Sequence, residues 1–302
     1  MKLNVSHSEE AIAKIKDIEI VYDTFGDQGS PPMLLVMGLG AQLISWDEEF
    51  CERLAARGYW VIRYDNRDIG LSTKFDDAGV PDLLKMFQAS MQGEAIQAPY
   101  SLGDMAGDAV CLLAVLEIEA AHVVGVSMGG MIAQMMAINH PERVLTMTSL
   151  MSSTWDPELP PPTPEALMVL TTPAPSDFEE YIEQNIKAWK ILGGPKLPFD
   201  EARARERAER AFKRGLSPDG FARQLAAVLS SGSRRERLKS VNIPSLIIHG
   251  DADPLIPVEA GIDTANSIPR AVLMIIEGMG HDLPPVVWPQ MVEALTSHAV
   301  QN

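Results

Sequence analysis

The sequence is poor in cysteine: 302 residues carry two, Cys51 and Cys111. Each stands in an apolar, helix-like setting, so they read as small core residues rather than a disulfide or a metal pair. A reducing compartment follows. Positive charge is also scarce, with 25 Lys and Arg against 41 Asp and Glu and a formal net charge of -16. Nucleic acid and anionic membrane surfaces need a basic face, so neither is expected as a partner. Long apolar runs are missing too. The longest, around Met131–Ile138, is interrupted by Gly129, Gly130 and Gln134, which excludes a membrane span. Met1–Lys16 lacks the apolar centre of a signal peptide, so the expected location is cytoplasmic. No His, Cys and Asp cluster has metal-ligand spacing, and no phosphate-binding glycine loop follows a strand. The expectation is therefore an enzyme or binding protein with no metal and no cofactor. Internal repeats are absent, and the one biased tract is proline-rich.

What the chain does have is Val123-Val-Gly-Val-Ser127-Met-Gly-Gly-Met131. A short apolar run leads into Gly125-Val126-Ser127-Met128-Gly129, and a helix-compatible stretch follows at once. This is a G-x-S-x-G turn in the context that gives it meaning, strand then sharp turn then helix. A serine at the tip of such a turn sits in strained backbone, so its neighbours two residues away must be nearly free of side chain. The helix start behind it favours developing negative charge. The N–H of Met128 would then face the oxyanion of a tetrahedral intermediate.

Around that turn the chain alternates short apolar strands with helices. Strands are expected at 18–24, 33–36, 60–64, 121–124 and 144–151, with helices over 46–56, 101–116 and from 131 to about 140. Residues 76–99 read as irregular. The alternation implies a mostly parallel sheet covered on both faces. The pattern then changes. Residues 154–175 are rich in proline, and three helical segments follow at 178–192, 199–214 and 218–229. This block, 152–240, reads as a helical cap inserted in a core made of 1–151 and 241–302. Strands resume at 244–248 and 271–276, and a helix over 289–299 closes the chain.

A serine hydroxyl is a weak nucleophile until an imidazole removes its proton, and the imidazole needs a carboxylate to hold its tautomer. Ser127, Asp253 and His281 each follow an expected strand, where open α/β sheets place their sites. Asp251, in the same turn, and Asp156, beyond the strand ending at Met151, are alternative acids. Met37-Gly38-Leu39-Gly40, after another strand, brings backbone N–H groups close to a ligand, with Leu39 as the second oxyanion donor. The charged turn Asp65–Asp68 reads as a brace for its loop. Met37, Gly38 and Met151, with Trp46 and Trp155, are expected to line a substrate pocket, with core filling as the competing reading for such methionines.

Taken together, V-x-G-x-S-M-G-G-M (123–131), H-G-x-x-D-x-x-x-P (249–257) and G-M-G-H (278–281) resemble the α/β-hydrolase superfamily, in its lidded serine-esterase branch. The loop at 37–40 and Tyr64-Asp-Asn-Arg-Asp68 are similar to those of aclacinomycin methylesterase-like carboxylesterases. The resemblance implies an α/β-hydrolase fold and a Ser127–His281–Asp253 triad, because the family's acid stands three residues after the glycine. It implies a carboxylic ester hydrolase, acting on a small-molecule ester without a cofactor. Lactonases, C–C bond hydrolases and perhydrolases use the same three residues, and some receptors reuse the fold for binding.

Overall fold

The architecture is that of a computed structural model, which describes residues 5–92, 94 and 96–300. The first four residues of the polar N-terminal stretch, two positions of the expected irregular segment and the last two residues lie outside that description. Eight strands form one sheet: β1 (Ala11–Ile15), β2 (Ile18–Phe25), β3 (Pro32–Val36), β4 (Trp60–Tyr64), β5 (Ala121–Val126), β6 (Val144–Leu150), β7 (Ser245–Gly250) and β8 (Val272–Ile276). Their order is β1-β2-β4-β3-β5-β6-β7-β8. β1 and β2 pair antiparallel, as do β2 and β4, and every later pair is parallel. β4, β5 and β7 are buried along their whole length, which is why they read as mostly apolar runs, interrupted by Arg63, His122, Ser245 and His249, and not as alternation.

The helices before β6 are α1 (Glu48–Ala55), α2 (Leu83–Gln92), α3 (Leu102–Val115) and α4 (Met128–Asn139). Between β6 and β7 come α5 (Pro164–Thr171), α6 (Phe178–Leu192), α7 (Glu201–Arg214), α8 (Pro218–Leu229) and the short α9 (Arg235–Leu238). α10 (Val258–Ser267) and α11 (Trp288–Val300) complete the chain. One core lies between the sheet and α3 and α4, the other between the sheet and α1 and α11. Cys51 is enclosed in the second, where burial pushes its thiol up to about 12, and both cysteines are unpaired.

Several expectations need correction. α1 begins at Glu48, not Trp46, because Asp47 caps it by accepting the N–H of Glu49 at 2.9 Å. α4 starts directly after Ser127, three residues earlier than its apolar pattern suggests. α2 lies within the segment read as irregular, and α5 within the proline-rich tract, where Pro164 takes the first helical position and Thr163 caps it. α10 has Gly261 at its centre, which hid it. A Cβ there would lie 2.5 Å from the His249 ring, so glycine is what lets this helix pack on β7.

One consequence of the core concerns pH. His122 on β5 is buried, hydrogen-bonded to Thr146 Oγ1 at 2.9 Å and set edge-on to Tyr59. Burial, helped by His298, lowers its pKa below the ordinary 6.5. The unfolded chain therefore takes up a proton that the folded chain refuses, and stability falls as pH drops below that value. His122→Gln should lose this part of the acid sensitivity, so the gap in Tm between about pH 7.5 and pH 5.5 narrows. An unchanged gap would show that His122 does not carry it.

Candidate active site

β5 ends at Val126, and the chain turns within one residue. Ser127 has φ 56° and ψ −121°, a conformation that L side chains rarely adopt. The turn closes only because its flanks are glycine. A Cβ on Gly125 would lie 2.0 Å from the carbonyl oxygen of Gly129, and one on Gly129 would lie 2.1 Å from that of Val36. The strain is held by neighbours: Ser127 N–H donates to Leu150 O at 2.8 Å, and its own carbonyl accepts Ser152 Oγ at 2.7 Å.

His281 Nε2 lies 3.0 Å from Ser127 Oγ, and His281 Nδ1 lies 2.7 Å from Asp253 Oδ2. With the carboxylate accepting at Nδ1–H, Nε2 is left as the acceptor for the serine hydroxyl. Asp253 is itself fixed, since its Oδ1 accepts the N–H groups of Leu255 at 2.9 Å and Ile256 at 2.8 Å. His249, buried beside it, has its Nε2 2.8 Å from Ile256 O and 3.6 Å from Asp253 Oδ2. Burial lowers the pKa of His249, so it stays neutral and leaves the Asp253 charge to His281. The other two acids are engaged elsewhere. Asp251 accepts the N–H of Gly278 at 2.6 Å, and Asp156 accepts Ser233 Oγ at 2.8 Å and pairs with Arg235.

Gly38 touches the serine, and a Cβ there would lie 3.2 Å from Ser127 Cβ. Among the described residues, the N–H groups of Leu39 and Met128 donate to no protein acceptor. Two unspent donors beside a nucleophile are what an oxyanion hole requires. The loop carrying Leu39 is pinned from both sides. Asn66 Nδ2 donates to Met37 O at 2.9 Å, and Gly40 N–H donates to Gln224 Oε1 at 2.9 Å. Gln224 in turn donates to Arg67 O at 2.7 Å. The Asp65–Asp68 turn is thus the brace its sequence suggests. Asp65 accepts the N–H of Leu43 at 2.7 Å, and Asp68 is enclosed by Arg223 and Tyr100.

Sequence reasoning missed Asn66, Gln224 and Arg223, whose partners lie far away in the chain. It also missed Arg234, which is buried with neutral partners only, Gln134, Ser153 and Ser231. The expected pocket residues divide. Trp155 packs with Leu39, Met86, Leu225, Leu229 and Phe221 in an apolar cluster between α2, α8 and the Leu39 loop. Trp46 belongs elsewhere: it is wholly enclosed and stacked on Phe50 at 5.8 Å, so it is a core residue. Met37 and Met151 share that core. A cavity of about 980 Å³ between α1, α7 and residues 282–292 contains none of Ser127, Asp253 and His281. Charged residues rim it, and ion pairs such as Arg203–Glu49 at 2.6 Å bridge its walls.

α6 reaches the site directly. His281 N–H donates to Leu192 O, the last residue of α6, at 2.7 Å, and a Cβ on Gly280 would lie 2.4 Å from the same oxygen. No helix among the described residues is long and apolar enough to cross a membrane.

The chain resembles several known proteins. The chain is 32% identical to rhodomycin D methylesterase DauP of Streptomyces sp. (strain C5), over 93% of this chain and 95% of that one. Among solved structures, it is similar to the meta-cleavage product hydrolase CumD of Pseudomonas fluorescens IP01, with TM-score 0.72, 21% identity and coverage of 94% and 95%. It is also similar to the esterase RhEst1 of Rhodococcus sp. ECU1013, with TM-score 0.68, 21% identity and coverage of 97% and 98%. A family model described as alpha/beta hydrolase fold matches residues 31–285. That span opens just before β3 and closes beyond His281, so the parallel sheet and all three site residues fall inside it, and the chain belongs to the alpha/beta hydrolase fold family.

Proposed function

We propose that this chain is a serine ester hydrolase that cleaves carboxylic esters, methyl esters among them, through an acyl-enzyme. The observation that carries the reading is the continuous hydrogen-bond chain from Ser127 Oγ through His281 to Asp253. Ser127 attacks the ester carbonyl while His281 takes its proton, and Asp253 stabilises the imidazolium. The N–H groups of Leu39 and Met128 receive the oxyanion. Collapse expels the alcohol, which takes its proton from His281. Water, activated by the same imidazole, then releases the acid. None of these steps calls on a group beyond the chain's own residues and water.

A methyl ester is favoured because the relative DauP is named a methylesterase. In this reading residues 152–240 act as the cap, and the cluster of Leu39, Trp155, Phe221 and Leu225 receives the acyl part. The unpaired cysteines fit a reducing, cytoplasmic location. Hydrolysis of p-nitrophenyl acetate, butyrate, octanoate and laurate, alongside methanol release from methyl esters of bulky acids, tests the reading. We expect turnover of both series and covalent labelling by a fluorophosphonate, seen as a mass shift on the peptide containing Ser127. Lactone or C–C substrates cleaved in preference to every ester would reassign the reaction within the family. Absence of both turnover and labelling would remove the hydrolase reading.

A further inference from the structure

Arg234 is a buried cation that the proposed chemistry does not use. It is 1% exposed and forms no ion pair among the described residues. Burial, with the Arg237 cation adding to it, holds its pKa down to about 9, so the charge is still present at neutral pH. Neutral carbonyl and hydroxyl partners offset only part of the hydration that such a charge gives up. What a guanidinium does that an aliphatic side chain cannot is join several acceptors in one rigid fork.

Each branch of that fork ends on a different element. Nε donates to Gln134 Oε1 at 2.9 Å, on α4, the helix that starts at Ser127. Nη1 donates to Ser231 Oγ at 3.0 Å, two residues beyond α8. Nη2 donates to Ser153 O at 2.8 Å, in the segment that follows β6. That segment is strained, with Met151 at φ 46° and Trp155 at φ 59°. Ser152 Oγ fixes its near end to Ser127 O at 2.7 Å, and the backbone N–H of Arg234 holds Thr154 O at 2.8 Å. Trp155, at its far end, meets Phe221, Leu225 and Leu229 of α8 in the apolar cluster.

We propose that Arg234 is the positioning residue that sets the wall of the acyl pocket, Trp155 and α8, at its distance from Ser127. The inference rests on the ester-hydrolase reading and adds to it the group that governs acyl-chain selectivity. Without the fork, Ser153 O loses its partner and Trp155 relaxes from its left-handed backbone, away from the cluster. None of the fork's acceptors belongs to Ser127, His281 or Asp253, so the loss falls on the wall. An acetyl group ends close to the serine, whereas an octanoyl chain must lie along that wall.

Steady-state hydrolysis of p-nitrophenyl acetate and octanoate tests this. Arg234→Met should lower the octanoate-to-acetate ratio of kcat/KM by roughly 10- to 100-fold, mostly through KM for octanoate. Arg234→Lys should lower it about as far, since one ammonium keeps the charge but cannot span three acceptors. With Trp155→Ala already present, Arg234→Met should change the ratio by less than about two-fold, whereas a generally loosened fold would add its loss to the first. Ser231→Ala, at a half-buried position, removes one acceptor and serves even where the methionine variant does not fold. It should lower the ratio by about three-fold. An unchanged ratio in Arg234→Met or Ser231→Ala, full recovery with lysine, or additive losses with Trp155→Ala overturns the inference and leaves ester hydrolysis standing. A wild type that hydrolyses neither ester overturns both.

Discussion

Ser127→Ala should lower kcat for ester hydrolysis by roughly 10⁵- to 10⁶-fold while leaving the melting temperature nearly unchanged. The loss is large because, among the described residues, the serine oxygen at 3.0 Å is the one hydrogen-bond partner of His281 Nε2. Stability is spared because alanine at φ 56° bears about the strain that serine already bears, and the backbone bonds of Ser127 to Leu150 and Ser152 remain. His281→Gln should cost about as much, and the double variant no more than either single one, since the residues act as a unit. Additive losses, or an alanine variant with more than about 1% of the activity, would show that the serine is not the nucleophile.

The second large effect is on stability. Arg223→Met should destabilise the fold by about 3–5 kcal/mol, because it strands a carboxylate that has no access to water. Asp68 is wholly buried and accepts from Arg223 Nε at 2.9 Å, Arg223 Nη2 at 2.7 Å and Tyr100 at 2.6 Å. Removing the guanidinium leaves its charge held by one hydroxyl and the N–H of Phe75. For a chain of this size the melting temperature should fall by roughly 10 °C. Asp68→Asn placed on top should recover part of the loss, since a neutral amide is far cheaper to bury than an unpaired charge. A shift of under about 2 °C in the single variant would mean that water reaches Asp68. Catalysis should fall as well. Gln224, the next residue along α8, holds Gly40, next to the proposed oxyanion donor Leu39.

The parts of this molecule legible in the sequence were those whose signals are local. β3 to β7 announce themselves because strands covered on both faces are mostly apolar, and the elbow announces itself because its two glycines flank the serine at two residues on either side. α6 and α8 match their expected limits, as their apolar faces and caps lie within the segment itself. β1 was hidden because its alternation spans five residues and buries only Ala13 and Ile15. α10 was hidden by a glycine whose reason, the His249 ring, lies on another element. Asn66, Gln224 and Arg223 share that difficulty. Their roles are set by partners up to 184 residues away, as between Gly40 and Gln224, and no local period records such a distance. Trp46 was misplaced because a tryptophan near a site loop reads the same whether it faces a cleft or the core.

The bond between the end of α6 and the backbone of His281 bears on how such a protein can be redesigned. A cap joined to its core only at the two points where the chain enters and leaves could be exchanged for another, like a head on a common shaft. If residues 152–240 act as the cap, it also supplies the carbonyl of Leu192, against which the histidine loop is seated. A graft that widened the mouth for a bulkier acid would therefore have to reproduce the last turn of α6 in place, or inherit a wider mouth with a misaligned base. The interchangeable portion is narrower than the insertion: it stops short of Leu192 on one side and of α8, which holds the Leu39 loop through Gly40, on the other.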